Sequence, residues 1–356
     1  MNRSIWAWVR VVGGVGILAV LLWRLGTGAF LDGLRVIDGP ALALAFTIGV
    51  ATTVFSAWRW CLVARGLGMT LSLRGAIADY YKALFINAAL PGGVLGDVDR
   101  AVQHGREEGD VGRSVRAVVL ERTAGQVVLV SVGVTVLLTV PSPVLSHLQA
   151  NARGLAVATV GTVGLAALLV FVVGRLRSGA SRWARAARTG VTELRAGLLA
   201  RRNWPGIVLA STVVLAGHLA TFVVAARAAG SDASLLRLAP LMLLALLAMT
   251  LPVNIGGWGP REGVTAWAFG AAGLSATQGL TIAVVYGVFA FVAALPGLVV
   301  IITRAAAGAR ARSRARAAVA APVRAVAAPL VTIAEPVVVP AHKVLLPVRE
   351  LVGSGA

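Results

Sequence analysis

Long apolar stretches alternate with short polar ones along this chain, and their length matches the thickness of a lipid bilayer. Crossing about 30 Å of hydrocarbon at 1.5 Å per residue takes about 20 mainly apolar residues. Five stretches meet this, at about 6–24, 41–63, 115–140, 154–174 and 206–229. A sixth, about 278–303, qualifies despite Pro296, because neighbouring groups in a helical bundle can satisfy the carbonyl that a proline frees. The first stretch follows a basic start, as in a signal peptide. With so many further spans behind it, a retained first helix is expected and not a cleaved leader.

Two stretches break the pattern. Residues 72–112 are half apolar and then charged, and residues 239–274 are apolar but interrupted. The first interruption reads Asn87-Ala88-Ala89-Leu90-Pro91-Gly92-Gly93-Val94-Leu95-Gly96-Asp97-Val98-Asp99-Arg100. The second reads Leu251-Pro252-Val253-Asn254-Ile255-Gly256-Gly257-Trp258-Gly259-Pro260-Arg261-Glu262. Both run Leu-Pro, Gly-Gly, a further Gly and then an Arg. Proline stops an entering helix by removing a donor, and glycine permits positive φ and close backbone approach. Pro91, Gly92, Gly93 and Gly96 in the first, with Pro252, Gly256, Gly257, Gly259 and Pro260 in the second, are therefore expected as structural helix breaks. Gly259 followed by Pro260 suits a helix start, and Glu262 suits its first turn.

Charge gives these breaks a sidedness. The chain is 58 % hydrophobic and only 13 % charged, roughly half the charged share of an ordinary soluble domain. Its formal charge is nevertheless +19. The segment 175–205 carries eight arginines against Glu193, and the tail beyond Thr303 is also strongly basic. By the positive-inside rule both face the cytoplasm, as does the N-terminus, and the near-neutral connections 24–40 and 141–153 face outward. Residues 64–114 then begin and end inside, whereas 230–277 begin and end outside. The fold expected is an all-α polytopic membrane protein with about six full spans plus two opposed re-entrant or broken helical hairpins, forming an inverted-topology repeat. A basic chain that binds nucleic acid would carry its charge on a soluble face, so no nucleic-acid partner is expected. The tail, 306–356, is Ala/Pro-rich, with Pro322, Pro329 and Pro336 expected to interrupt any helix. It is read as flexible or surface-lying, with contact of its arginines to anionic lipid or a partner as the alternative.

Candidate chemistry gathers at the breaks. A helix N-terminus within the membrane offers free N–H groups and partial positive charge, and Arg100 and Arg261 add full charges beside it. The pair points to a cavity for a phosphate-bearing headgroup. Glu121-Arg122 lies about two turns inside the third apolar stretch, where ionisable groups are costly and usually paired or functional. Glu121 is expected to pair with Arg100 or Arg122. Asp97 and Arg100, three apart, can neutralise each other. Asn87 and Asn254 flank the breaks and suit either headgroup atoms or freed backbone groups, and Trp258 lies within the second. Tyr80, Tyr81 and Lys82 read as an interfacial anchor, and His218 as a packed, hydrogen-bonded residue. Cys61 is the lone cysteine and the four histidines are scattered, so neither a disulfide nor a metal site is expected. No P-loop, Gly-x-Ser-x-Gly or His-Glu-x-x-His occurs, and no catalytic residue and no cofactor is assigned.

These motifs resemble the transmembrane, flippase-like domain of lysylphosphatidylglycerol synthases and its stand-alone relatives. The residues that carry the resemblance are Tyr81 through Asn87 to Leu90-Pro91-Gly92-Gly93, Gly96-Asp97, Arg100 and Glu121-Arg122. They continue with Gly256-Gly257-Trp258-Gly259-Pro260-Arg261-Glu262-Gly263, Tyr286 and Leu295-Pro296-Gly297. The resemblance extends over about 10–303 and implies a multi-pass protein of the bacterial plasma (inner) membrane, with about eight membrane segments, that handles lipids. The full synthases carry a soluble domain that transfers lysine from its tRNA. Only about fifty tail residues follow here, so synthase activity is expected to be absent. The leading expectation is a translocator that moves a phospholipid, an aminoacyl-phospholipid or a polyprenyl-phosphate between leaflets, with membrane lipids as its partners. A headgroup-modifying membrane enzyme and a scaffold for a separately encoded lipid synthase are the alternatives.

Overall fold

In the computed structural model the described residues are 28–90, 93–150, 182–250 and 258–331, with the single positions 156 and 164. The expected span 6–24 and nearly all of 154–174 lie outside them, as do Pro91, Gly92, Pro252, Asn254, Gly256 and Gly257. The described residues are overwhelmingly helical, as the apolar pattern requires: in hydrocarbon every backbone polar group needs an internal partner, and a helix supplies one within the segment.

The helices run α1 (Gly28–Arg35), α2 (Gly39–Gly66), α3 (Leu73–Ala89), α4 (Leu95–Glu107), α5 (Val111–Thr139) and α6 (Pro143–Ala150). After residues 151–181 follow α7 (Arg182–Leu194), a single π-helical turn (Arg195–Leu199), α8 (Trp204–Ala228) and α9 (Leu235–Ala248). The series ends with α10 (Pro260–Ala271), α11 (Ala276–Ala294) and α12 (Pro296–Val331). Among the described residues four helical stretches are long and apolar enough to cross a membrane: α2, α5, α8 and Ala276–Arg314, which takes in α11 and the start of α12. The first three match expected spans to within a few residues, and the fourth begins within two residues of the expected 278–303 but runs on past it. Pro296 begins a new helix at the joint and so costs no interior hydrogen bond.

Polar caps set the ends. Asp38 accepts from Ala41 N at 2.8 Å, Asp110 from Arg113 N at 2.8 Å, Ser72 from Gly75 N at 3.2 Å and Ser275 from Gln278 N at 3.2 Å. Each satisfies one of the donors that a helix start leaves open. Between the caps, Val119, Val127, Val130 and Val134 of α5 and Val208 and Leu209 of α8 are exposed, as lipid-facing residues are in a bilayer protein.

The two irregular stretches each hold two short helices, α3 ending at Ala89 with α4 starting at Leu95, and α9 ending at Ala248 with α10 starting at Pro260. Each pair lies between two long helices, α2 and α5 in the first case, α8 and α11 in the second. The order long, short, short, long therefore occurs twice. Gly93 at φ +60° and Gly259 at φ +114° hold backbone conformations in the breaks that other residues adopt only under strain. Gly96 serves close approach instead. A methyl group there would lie 2.6 Å from Ala83 Cα, so α4 crosses α3 backbone to backbone.

Contacts divide the chain into residues 1–302 and 303–356. Within the second unit α12 continues through Pro322 and Pro329 to Val331, where interruption was expected. The alanine-rich surroundings account for the difference: alanine is the strongest helix former, and it surrounds each proline's local penalty of about 3 kcal/mol. Pro336 lies outside the described residues.

Candidate functional site

Two buried clusters of charge sit beside the breaks, and they are built differently. In the first, Glu121 of α5 is fully buried and accepts from three side chains on three helices. Arg59 of α2 donates through Nε at 2.9 Å and Nη2 at 2.5 Å, Arg100 of α4 through Nη2 at 2.7 Å, and the Tyr80 hydroxyl of α3 at 3.3 Å. Asp97 Oδ1 accepts from Arg100 Nε at 3.0 Å and from Arg122 Nη2 at 2.7 Å. Asn87 closes the break: its Oδ1 accepts from Gly96 N at 2.7 Å, and its Nδ2 donates to Asp97 Oδ2 at 3.3 Å. The Arg100 guanidinium also lies 4.6 Å from the ring centroids of both Trp60 and Tyr80. Such rings stabilise a cation away from water.

In the second cluster Arg261 and Glu262, adjacent in sequence at the start of α10, pair with each other. Gly259 N donates to Glu262 Oε2 at 2.7 Å, so the carboxylate caps its own helix and occupies the anion position that this N-terminus offers. The Arg261 guanidinium lies 5.3 Å from the Trp258 ring and 5.1 Å from that of Tyr286. Gly287 leaves space there: a methyl at that position would approach Trp258 to 2.9 Å and collide with Arg261.

Between the clusters lies a cavity of about 400 Å³, lined from α2, α3, α5, α8, α9, α10 and α11 and from residues flanking both breaks. Arg59, Arg122 and Arg261 face it, and no Asp or Glu stands among its lining residues. The carboxylates grip the arginines from behind. Arg59 also reaches across to α8, donating to Ser211 Oγ at 3.1 Å. His218 Nδ1 and the Tyr286 hydroxyl, 2.9 Å apart, form a further polar pair on the wall. Beyond these the lining is apolar or small, including Ala45, Gly49, Leu84, Leu215 and Phe289. The cavity thus presents guanidiniums within an apolar surround, and the oxygens of Glu121, Asp97 and Glu262 are each engaged by donors.

The family described as lysylphosphatidylglycerol synthase TM region matches residues 7–297. The chain belongs to this family. Its membrane-spanning helices and the family together make it an integral membrane protein with a lipid-related function. No curated protein and no solved structure matches it.

Of the residues expected at the site of this family member, Asn87, Arg122, Trp258 and Arg261 line the cavity. Arg100, Asp97, Glu121 and Glu262 stand behind the lining and orient it, and Asn254 lies outside the described residues. Arg59 joins Arg122 and Arg261 at the cavity while Arg100, Glu121 and Glu262 stand behind them, because burying a carboxylate is tolerable only when guanidiniums surround it. Tyr80 is not an interfacial anchor. It is buried within the first cluster, while Lys82 pairs with Asp99 at 2.6 Å. Arg59, Ser211, His218 and Tyr286 were not expected at the cavity. Arg59 had one legible signal, as an ionised residue inside an apolar span. For the other three, only the packing of α8 against α2 and α11 reveals the role.

Proposed function

We propose that this protein is a lipid translocator of the bacterial plasma membrane, and that the cavity receives a phosphate-bearing headgroup while the acyl or prenyl chains stay in the bilayer. The observation that carries this reading is the wall itself: Arg59, Arg122 and Arg261 face one cavity from three helices, with their carboxylate partners turned away from it. Guanidiniums match phosphate oxygens with forked donors, and an apolar wall suits the glycerol and first chain carbons. A cavity of about 400 Å³ is of headgroup size.

In this reading α3–α4 and α9–α10 are re-entrant hairpins of an inverted repeat that enter from opposite faces and expose the headgroup alternately. The repeated order of long and short helices supports it, as does the arginine asymmetry, which puts the N-terminus, the segment 175–205 and the tail in the cytoplasm. The engagement of all three carboxylates by donors favours transport over headgroup chemistry, so the protein is proposed not to be an enzyme.

Reconstitution in liposomes with labelled phospholipids and polyprenyl phosphates tests this. The wild type is expected to move at least one of them between leaflets, and Arg261→Ala to slow it by about tenfold or more, the usual consequence of losing a charge-assisted contact. Equal rates for the two proteins sink the assignment of the cavity.

A further inference from the structure

We propose that each anionic headgroup enters the cavity together with one proton, held on His218, so that a proton gradient drives its transfer. This deepens the translocator reading and rests on it. The position of His218 carries the inference. The residue lies two positions past Ala216, the centre of α8, which places it near the middle of a membrane-crossing helix. An ionisable side chain at that depth marks an ion or proton path. His218 is exposed and lines the cavity. Among the lining residues it alone changes charge close to neutral pH, because the other ionisable ones are arginines and tyrosines. Its bonding leaves room for the proton. Nδ1 and the Tyr286 hydroxyl lie 2.9 Å apart, and Nε2 has no hydrogen-bond partner among the described residues. The protonated ring donates Nδ1–H to the Tyr286 oxygen and keeps Nε2–H for an acceptor in the cavity. The proton comes from water on the side where the headgroup enters and returns to water on the side where it leaves.

The charges around the ring link the proton to the headgroup. Arg59 faces the cavity from α2, Arg122 from α5 and Arg261 from α10, with the Tyr80 and Tyr286 hydroxyls from α3 and α11, and α9 presents no ionisable group to it. In the empty cavity a proton on His218 adds a cation to a wall that already holds guanidiniums. A bound phosphate supplies the opposite charge in the same low-dielectric space. It therefore favours the proton, and by reciprocity the proton favours the phosphate. Tyr286 extends the coupling to the second cluster, because its ring lies 5.1 Å from the Arg261 guanidinium. A membrane that extrudes protons then drives the headgroup toward the cytoplasmic leaflet.

The test uses proteoliposomes with labelled phosphatidylglycerol or a labelled polyprenyl phosphate, a difference of about one pH unit across the membrane and the membrane potential clamped at zero, read against protein-free vesicles. The wild type is expected to enrich the label in the leaflet facing the alkaline side by up to about tenfold, the ratio that one proton per lipid supports. His218→Gln should leave the two leaflets equal whatever its rate, and Tyr286→Phe, which keeps the imidazole, should still enrich the label. For a variant too slow to assay, calorimetry of dihexanoyl-phosphatidylglycerol binding to the full chain in detergent, in buffers of different ionisation enthalpy at about pH 8, counts the protons directly. Wild type is expected to take up about one proton per lipid bound and His218→Gln none. Leaflet distributions in wild type that ignore the pH difference, or proton uptake unchanged in His218→Gln, overturn the coupling and leave a translocator standing. Absence of transfer for both lipids sinks the translocator reading and this inference together.

Discussion

The two interrupted helix pairs share an order of elements but hold their buried arginines by different means. Beside α3–α4, charges from α2, α4 and α5 interlock through Glu121 and Asp97, so that cluster forms only when three helices have packed. Beside α9–α10, Arg261 and Glu262 are neighbours in sequence, and the carboxylate is fixed by its own helix start. The first cluster is a product of tertiary structure, and the second is nearly complete once one turn of helix exists.

Mutations at the two carboxylates test that asymmetry. Glu121→Gln leaves the buried Arg59 and Arg100 without their shared counter-ion and should cost the most, roughly 4–5 kcal/mol in reversible unfolding from mixed micelles. Glu262→Gln leaves a single arginine, still flanked by two rings, and can retain the bond from Gly259, so a loss of about 3 kcal/mol is expected. Equal losses from the two substitutions would show that the clusters are built alike after all. Tyr286→Phe removes only the hydroxyl bonded to His218 and should cost about 1 kcal/mol, while translocation falls less than in Arg261→Ala. A larger effect on transfer than on melting would place that pair among the headgroup contacts.

The same contrast explains how much could be read from sequence. The helix start at the second cluster was legible because its logic is local, although the pairing of Arg261 with Glu262 was not. Gly259, Pro260 and Glu262 occupy the cap, the first and the third helical positions, and the chain order alone gives that register. The long helices were legible because bilayer thickness sets their length. The first cluster was only half legible. Asp97, Arg100 and Glu121 stand out as charges near a break or within a span. Their partners depend on which helices meet, and Arg59, one charge toward the end of an apolar helix, reads equally as a side chain reaching for the interface. Tyr80 and Lys82 show the limit plainly. Two residues apart and both amphipathic, they point to different surroundings, one to the Arg100 guanidinium and the other to Asp99.

The central claim is that the arginine-lined cavity holds a lipid phosphate. A structure of the protein extracted with its native lipids tests it most directly. The account predicts phosphate density within hydrogen-bonding distance of at least two of Arg59, Arg122 and Arg261, with a chain leading from it into the bilayer. An occupied headgroup site elsewhere on the protein, with the cavity holding only water, would contradict it.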